Sequence, residues 1–276
     1  MSKIPKVIHY CWFGENDLSE KEKYCIESWK NRCPDYEIKL WNEKNIDVMH
    51  LNQYVKEAYE NKKYAFVSDY VRLYVIYQYG GIYLDTDVEL LKSLDKFLCY
   101  DSFFSFENDT VINTGVGFGA KKGNEVIKKM LDDYQDIPFV LKNGHFDIEP
   151  CTVRNTNAIK SILKSFSDRT VICNYQNNYF FPTEYFCPMS NVTGKINITE
   201  NTVSIHHYSG SWLDKKGKRN VDSRRMLCSI FGEKIGSLLS RVMTFPYRVN
   251  NKIKKYGFFG MLNFAFQKVF IKNKDR

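Results

Sequence analysis

An α/β fold is predicted from three features of this 276-residue chain. The segment from Lys6 to Gly14 reads as a buried strand followed by an aromatic-rich turn. A helix predicted for Ser19–Asn31, with Ser19 and Glu22 as a capping box, leads to a second strand at Tyr36–Trp41. A nearly all-apolar helix, Tyr64–Tyr79, then runs through a Gly-Gly pair into a further strand. This alternation of strands and helices is typical of α/β proteins.

Length and composition bound the organisation of the chain. With 43% hydrophobic residues, the chain can bury one sizeable core, and we expect one domain at 1–240 followed by a tail at 241–276. No apolar run has the length of a membrane span or a secretory signal, so a cytoplasmic location is expected. Eight scattered cysteines without a Cys-x-x-Cys pair fit reduced thiols better than a zinc site or disulfides.

The stretch Tyr83–Asp87 is the expected chemical centre. If Ile82–Leu91 is one strand, Tyr83, Asp85 and Asp87 point to the same face. Carboxylates two residues apart on a strand lie roughly 6.5 to 7 Å apart. A hard divalent cation with oxygen ligands would join them. The alternative is an ordinary surface turn.

Two charged residues interrupt the apolar helix that precedes this stretch. Asp69 and Arg72 are three residues apart and therefore share one helical face. A buried charge is too costly to leave unpaired. The two residues either form a structural ion pair or meet a polar ligand in a cleft. Gly80-Gly81 is expected to end the helix, because glycine adopts left-handed conformations readily.

The helix and the strand after it together form one pattern, Ser68-Asp69-x-x-Arg72 followed by Gly80-Gly81-x-Tyr83-x-Asp85-x-Asp87. This pattern resembles the signature of glycosyltransferase family 32, which includes bacterial capsular polysaccharide synthesis proteins. It is also similar to the catalytic domains of the glucosylating toxins. The resemblance implies the GT-A fold, a Rossmann-like mixed central sheet flanked by helices. It further implies a nucleotide-sugar donor, a divalent metal, Mn²⁺ or Mg²⁺, and transfer that retains the anomeric configuration.

The resemblance assigns roles to the residues of the central pattern. Asp69 and Arg72 would contact the donor sugar and ribose, and Tyr83 would belong to the donor site. Asp85 would contact ribose or sugar hydroxyls, and Asp87 would hold the metal directly, with Asp85 as a further ligand. These four charged residues are the predicted catalytic set.

Further donor contacts are implied outside the central pattern. Trp12 would pack on the nucleobase, with a core aromatic side chain as the alternative. Asn113, in Asn113-Thr114-Gly115, would line the donor pocket unless it is only a turn residue. Comparison with the glucosylating toxins implies that Ser211 and Trp212 would reach the donor diphosphate.

A third metal ligand is expected from the segment Thr202–Trp212, a strand that leads into a turn. The adjacent residues His206 and His207 would face opposite ways on a strand, so at most one reaches the carboxylates. Comparison with the toxins and with related galactosyltransferases favours His207, although the toxins have an acidic residue at this position.

Between the two motifs, strands are predicted at Phe103–Phe106 and Val111–Ala120 and a helix from Gly123 to Tyr134. The stretch Ile137–Asn157 is polar and irregular, as acceptor-binding loops often are. Its acceptor-contact candidates, which are otherwise solvated loop residues, are His145, Asp147, Glu149 and Arg154.

The tail 241–276 mixes basic and aromatic residues, and with it the chain reaches a net charge of +8. This composition is typical of an amphipathic helix on the inner face of an anionic membrane. A plain packing helix and nucleic-acid binding are the alternatives. Because the rest of the chain lacks any recognised nucleic-acid module, no nucleic-acid partner is expected.

The sequence therefore predicts a metal-dependent retaining glycosyltransferase. UDP-hexose is the favoured donor, GDP-mannose is the alternative, and the acceptor would be a growing lipid-linked bacterial glycan of a capsule or O-antigen. No protein nucleophile is recognisable, so front-side attack is favoured. The contrasting hypothesis is a non-catalytic basic protein that binds membranes or nucleic acid and carries only an acidic turn.

Overall fold

The computed structural model describes residues 3–108, 110–210, 213, 215–247 and 249–250. The described residues form two compact units. The first contains those up to Val140, Asp147–Ser190 and those from Lys195 to Gly210. The second contains Leu141–Phe146, Asn191–Gly194 and those from Leu213 onward.

A mixed seven-stranded sheet forms the centre of the first unit, in the order β2-β1-β3-β6-β5-β8-β7. The pairs β1–β2, β1–β3 and β5–β8 are parallel, and the pairs β3–β6, β5–β6 and β7–β8 are antiparallel. A separate antiparallel pair joins β4 to β9. The strands are β1 Val7–Cys11, β2 Glu37–Trp41, β3 Gly81–Tyr83, β4 Val88–Leu90, β5 Ser102–Ser105, β6 Phe118–Ala120, β7 Cys173–Tyr175, β8 Asn178–Phe181 and β9 Ser204–His206.

Helices flank this sheet, and a helical segment that is interrupted at Gly232 belongs to the second unit. They are α1 Glu20–Arg32, α2 Gln53–Glu60, α3 Tyr64–Tyr79, α4 Glu125–Asp132, α5 Cys151–Ala158, α6 Lys160–Leu163, α7 Thr183–Phe186 and α8 Lys215–Met243, with short 3-10 turns at Val48–His50 and Asp95–Phe97. The predicted α/β fold with a mixed sheet and flanking helices is confirmed. None of the described helices is both long and apolar enough to cross a bilayer.

The start of α1 and the end of α3 follow the local sequence signals. The backbone N–H of Ser19 has no hydrogen-bond acceptor within the helix and donates instead to Oε2 of Glu22 at 2.7 Å. The helix α3 ends at Gly80, where φ is +70°. Gly81 follows with φ +109°, and a Cβ there would overlap the ring of His9. Glycine is therefore required at the point where α3 turns into β3.

The stretch expected to be one strand, Ile82–Leu91, is instead two short strands in different sheets. The strand β3 ends at Tyr83, and β4 begins at Val88. Between them, the N–H of Val88 donates to the carbonyl of Asp85 at 3.0 Å and closes a turn. Leu84 and Val88 are fully buried in the core on either side of this turn. The turn therefore has a buried anchor at each end.

Other boundaries also differ from the sequence-based expectations. The strand predicted at Val111–Ala120 is confined to β6, because residues before Phe118 form a loop. The stretch expected to be irregular, Ile137–Asn157, contains most of α5. The boundary expected after Ser240 falls inside α8.

Candidate active site

The turn between β3 and β4 meets the end of β9 at one cluster of potential metal ligands. Asp85 and Asp87 come from the turn, and His206 is the last residue of β9. One ligand atom from each of the three lies within 4.8 Å of the others. The pairing of β4 with β9, in which Val88 stands opposite His206, brings the histidine to the carboxylates. This three-residue group is the metal-ligand cluster.

Both carboxylate oxygens of Asp87 have protein partners. Its Oδ1 lies 3.2 Å from Nε2 of His206, and its Oδ2 accepts a 2.7 Å hydrogen bond from the N–H of Ser209. Burial alone would raise the pKa of Asp87, but the imidazolium of His206 and these hydrogen bonds hold that pKa well below its usual range. Burial would likewise lower the pKa of His206, and Asp87 raises it well above its usual value. The pair is therefore an ion pair near neutral pH.

A second group of charges adjoins the cluster through Asp85. The Nη2 of Arg72 lies 2.9 Å from Oδ1 of Asp69 and 3.2 Å from Oδ1 of Asp85. The same Asp85 oxygen accepts a 3.1 Å hydrogen bond from the hydroxyl of Tyr83, whose ring lies under the Arg72 guanidinium at 5.1 Å. Asp69 and Arg72 thus form an ion pair, one of the two alternatives that the sequence allowed, and Arg72 also contacts the first motif aspartate.

The loop before β6 packs directly against Asp85. The carbonyl of Gly115 accepts a 3.0 Å hydrogen bond from the N–H of Asp85. A Cβ at Gly115 would overlap Oδ2 of Asp85, so only glycine permits this approach. Asn113 shapes the loop, because its Oδ1 accepts from the N–H of Gly115 at 2.7 Å and its Nδ2 donates to Glu107 at 3.1 Å.

Helix α5 adds two residues that the sequence did not single out. The Sγ of Cys151 lies 3.9 Å from Nη1 of Arg72. One turn later, Nδ2 of the fully buried Asn155 donates to Oγ1 of Thr114 at 3.0 Å, linking α5 to the Asn113–Gly115 loop. The signal for α5 is weak, since only Pro150 before its first turn hints at a helix start.

The structure places His206, and not His207, beside the carboxylates, which corrects the choice made from the sequence. Adjacent residues at the end of a strand point to opposite faces. The Nε2 of His207 lies 2.9 Å from Oε2 of Glu89, and Oε1 of Glu89 accepts a 2.8 Å hydrogen bond from the hydroxyl of Tyr24. His207 therefore belongs to a group on the other side of the β4–β9 pair.

Of the remaining donor candidates, one follows β1 and two lie outside the described residues. Trp12 follows β1, is partly exposed, and donates from Nε1 to the carbonyl of Asn16 at 2.5 Å. Ser211 and Trp212 lie outside the described residues, so their expected contact with the diphosphate stays a prediction.

Two of the acidic candidates in the expected acceptor loop pair with the basic one. Arg154 is buried, and its Nη2 lies 2.6 Å from Asp147 and 3.4 Å from Glu149. The fourth candidate, His145, belongs to the second unit. A role for any of the four in acceptor binding stays a prediction.

Known proteins resemble the chain over this region. Residues 19–104 match the family described as glycosyltransferase sugar-binding region containing DXD motif. Inositol phosphoceramide mannosyltransferase 3 of Schizosaccharomyces pombe is 31% identical over 154 residues, which cover 52% of this chain and 40% of that protein. The mannosyl phosphorylinositol ceramide synthase SUR1 of Saccharomyces cerevisiae is 31% identical over 154 residues, 51% of this chain and 39% of that protein. The chain thus spans well under two thirds of these curated relatives.

Among solved structures, the PaToxG glycosyltransferase superposes with a TM-score of 0.45 and 19% identity, covering 59% of this chain and 70% of that one. A glycosyltransferase involved in glycosylation of the PBCV-1 major capsid superposes with a TM-score of 0.42 and 10% identity, covering 79% of this chain and 100% of that one.

The family match includes β3 and the turn that follows it. Asp85-Thr86-Asp87 is the only Asp-x-Asp triplet in residues 19–104. The narrower assignment to glycosyltransferase family 32 stays a prediction. The Asp-x-Asp triplet of this matched region therefore forms part of the metal-ligand cluster.

Proposed function

We propose that the chain is a metal-dependent, retaining glycosyltransferase that moves a hexose from a nucleotide sugar to a lipid-borne acceptor. The observation that carries this proposal is the convergence of the DXD carboxylates with His206 on one side and the buried Arg72–Asp69 pair on the other. A surface turn would not require a buried cation and a buried histidine around two aspartates.

The cluster fits a divalent metal by the chemistry of its donors. Two carboxylates and one imidazole suit Mn²⁺, and carboxylates suit Mg²⁺. Nδ1 of His206 is buried without a hydrogen-bond partner among the described residues. Asp85, Asp87 and His206 would hold the ion. A bound cation would neutralise the negative charge of the departing diphosphate.

The chain's own residues would orient the donor. Arg72 is an obligatory cation held by two carboxylates and by the carbonyl of Ser68, to which its Nε donates at 3.2 Å. A guanidinium fixed in this way presents its remaining N–H donors in one orientation, as recognition of sugar hydroxyls requires. Tyr83 holds Asp85 in the same arrangement through its 3.1 Å hydrogen bond.

Front-side attack accounts best for the proposed retention. All three site aspartates have protein partners: Asp69 pairs with Arg72, Asp85 with Arg72 and Tyr83, and Asp87 with His206 and Ser209. A double displacement would need a carboxylate that is free to bond to the sugar. In front-side attack, the acceptor oxygen bonds to the anomeric carbon as the bond from that carbon to the diphosphate oxygen breaks. The departing diphosphate oxygen takes the proton of the acceptor hydroxyl.

The names of the relatives bear on donor and acceptor. Both fungal relatives described above are named for mannosyl transfer to an inositol-containing ceramide lipid. These names favour a mannose donor and a lipid acceptor over the UDP-hexose and the capsule or O-antigen expected from the bacterial resemblance. GDP-mannose is therefore the first donor to test, and UDP-hexoses are the second.

The location follows from a lipid acceptor and stays part of the proposal. The enzyme would act at the inner face of the cytoplasmic membrane, with the tail 241–276 as the expected contact. Of this tail, residues 248 and 251–276 lie outside the described residues.

The test uses the purified full chain with a panel that contains GDP-mannose, UDP-glucose and UDP-galactose. We expect one donor to raise the melting temperature in the presence of Mn²⁺ and to be hydrolysed slowly without acceptor. EDTA should abolish both effects, and Asp87→Asn should abolish hydrolysis. A chain that neither binds nor hydrolyses any of these donors with Mn²⁺ would support the non-catalytic hypothesis instead.

A further inference from the structure

Helix α8 in the second unit is folded back on itself at Gly232, where φ is +77° and ψ is 164°. The Nζ of Lys216 lies 5.2 Å from the centre of the Tyr247 ring, and the Sγ of Cys228 lies 3.5 Å from the Oγ of Ser237. The members of each pair lie at nearly equal distances along the chain from residue 232. The two halves therefore run antiparallel, and we call residues 215–247 the α8 hairpin.

The inner side of the α8 hairpin is built mainly from small residues. Gly236 and Ser240, one turn apart, are buried, as is Cys228 on the facing half. A Cβ at Gly236 would overlap the backbone of Cys228, so the halves meet at backbone distance. Small residues four apart allow such an approach between helices packed in lipid. Helix pairs in water instead usually turn their large apolar side chains toward each other.

Most large apolar side chains of the hairpin lie on its outer surface, although Leu227 is buried. Those that are exposed are Met226, Ile230, Phe231, Ile235, Leu238, Leu239, Val242, Met243 and Phe245. In the second half, Ile235, Leu238 and Val242 follow the spacing of a single helical face. Leu238 is 61% exposed and Val242 is 67% exposed. An apolar surface of this extent in a soluble protein indicates a binding surface.

Charge identifies the partner. Residues 215–243 contain eight Lys and Arg residues, at 215, 216, 218, 219, 224, 225, 234 and 241, and only two acidic ones, Asp222 and Glu233. Exposed apolar side chains combined with a strong positive charge complement an anionic bilayer, which offers an acyl layer beneath negative headgroups. A second protein copy would bring the same positive charge and be repelled.

We infer that the α8 hairpin lies on an anionic lipid bilayer, with the Ile235–Leu238–Val242 face at the boundary between headgroups and acyl chains. Since no described helix is long and apolar enough to cross a membrane, the hairpin rests in the interface. This inference does not rest on the proposed sugar transfer. It also moves the expected membrane contact from the tail to a segment that begins at residue 215.

The test compares Leu238→Glu with Ser229→Glu in the full chain, by co-sedimentation with phosphatidylglycerol–phosphatidylcholine vesicles. Both positions are exposed on the hairpin, and both variants add one negative charge, but only Leu238→Glu removes apolar surface. We expect wild type to bind at low salt, Ser229→Glu to bind only a few-fold less tightly, and Leu238→Glu to bind at least tenfold less tightly than Ser229→Glu. Val242→Glu should behave like Leu238→Glu.

Controls separate this inference from its alternatives. Circular dichroism and sedimentation velocity establish that each variant is folded and give its oligomeric state. Equal vesicle binding by wild type and Leu238→Glu would overturn the inference in favour of the tail. If wild type is a dimer that does not bind vesicles, and Leu238→Glu is a monomer, the hairpin surface binds a second copy of the chain and the inference is wrong. Vesicle binding is measured without donor, so an enzyme that lacks the proposed transfer activity leaves this result interpretable.

Discussion

Arg72 and Asp85 are joined across the boundary between helix α3 and the DXD turn, with Nη2 of Arg72 at 3.2 Å from Oδ1 of Asp85. The same nitrogen lies 2.9 Å from Asp69, so one guanidinium ties the helix to the motif. Burial and Arg72 act in opposite directions on Asp69: burial raises the pKa of its carboxyl, and the guanidinium counteracts part of that rise. From the sequence, an Asp69–Arg72 ion pair and a contact of these residues with a polar ligand were alternatives. In the structure the two are compatible, because Arg72 pairs with Asp69 and also contacts Asp85.

We predict that Arg72→Lys lowers both stability and transfer. Lysine keeps the charge but loses the planar fork that spans Asp69, Asp85 and the carbonyl of Ser68. Loss of charge-assisted hydrogen bonds at a buried site costs about 1.5–3 kcal/mol. Denaturant unfolding and donor hydrolysis are the measurements, with Lys39→Arg, on the partly exposed strand β2, as the control. Unchanged donor hydrolysis together with a large loss of stability would limit Arg72 to a structural role.

The choice between the two histidines gives the sharpest test of the metal-ligand cluster. His206→Gln should lower Mn²⁺-dependent transfer by about 10²-fold, the scale of losing a principal electrostatic stabiliser. His207→Gln is the matched control, because it removes the contact to Glu89 and leaves the cluster intact. We expect His207→Gln to change activity only a few-fold. Manganese titration of activity for both variants is the measurement, and the reverse order of effects would restore His207 as the ligand.

The sequence predicted the parts of this site that depend on local pattern. Helix α3 carries Asp69 and Arg72 on one face because they are three residues apart, and Gly80 ends it through a positive φ. The contact between Asp85 and Gly115 depends on residues thirty apart along the chain, and no periodicity reports it. The sequence named both histidines and favoured His207 because β9 was aligned by its motif, whereas the direction of the His206 side chain is set by pairing with Val88 in β4.

Gly115→Ala should impair the donor site more than the fold. The added methyl group would overlap Oδ2 of Asp85, and that side chain or the Asn113–Gly115 loop would have to move. We expect at least a tenfold loss of donor affinity, because misplacing a positioning group by about 1 Å costs on that order or more. Gly123→Ala is the control, since nothing lies near its Cβ and only its φ of +70° opposes the change.

Gly123→Ala should therefore lower the free energy of unfolding by about 1 kcal/mol through backbone strain, and with it the melting temperature. Donor affinity should not change. Isothermal titration with the preferred nucleotide sugar and Mn²⁺ gives the affinities, and thermal unfolding gives the stabilities. Equal donor affinity for Gly115→Ala and wild type would show that the loop tolerates displacement from Asp85.

Two buried histidines should give the metal-free protein a stability maximum near pH 6.5. His9 is held neutral, since Nε1 of Trp41 donates to its Nδ1 at 2.9 Å and its Nε2 lies 2.9 Å from the carbonyl of Gly80. Burial lowers the pKa of His9 to about 4, while Asp87, against the effect of burial, raises the pKa of His206 well above its usual value. Their contributions to the pH dependence of stability therefore have opposite signs.

As pH falls from 6.5 to 4, the unfolded chain protonates at His9 and the folded chain does not, so we predict a loss of up to about 3 kcal/mol of stability from this residue. As pH rises above 6.5, the unfolded chain loses the proton at His206 that the folded chain keeps, so stability falls again. Urea unfolding in EDTA between pH 4.5 and 8.5 measures both limbs. His9→Gln should flatten the acidic limb, and His206→Gln the alkaline one. If the loss of stability at acidic pH persists in His9→Gln, groups other than His9 cause it. Trp41→Phe frees Nδ1 of His9 for protonation, so this variant should lose less stability at acidic pH if His9 is responsible.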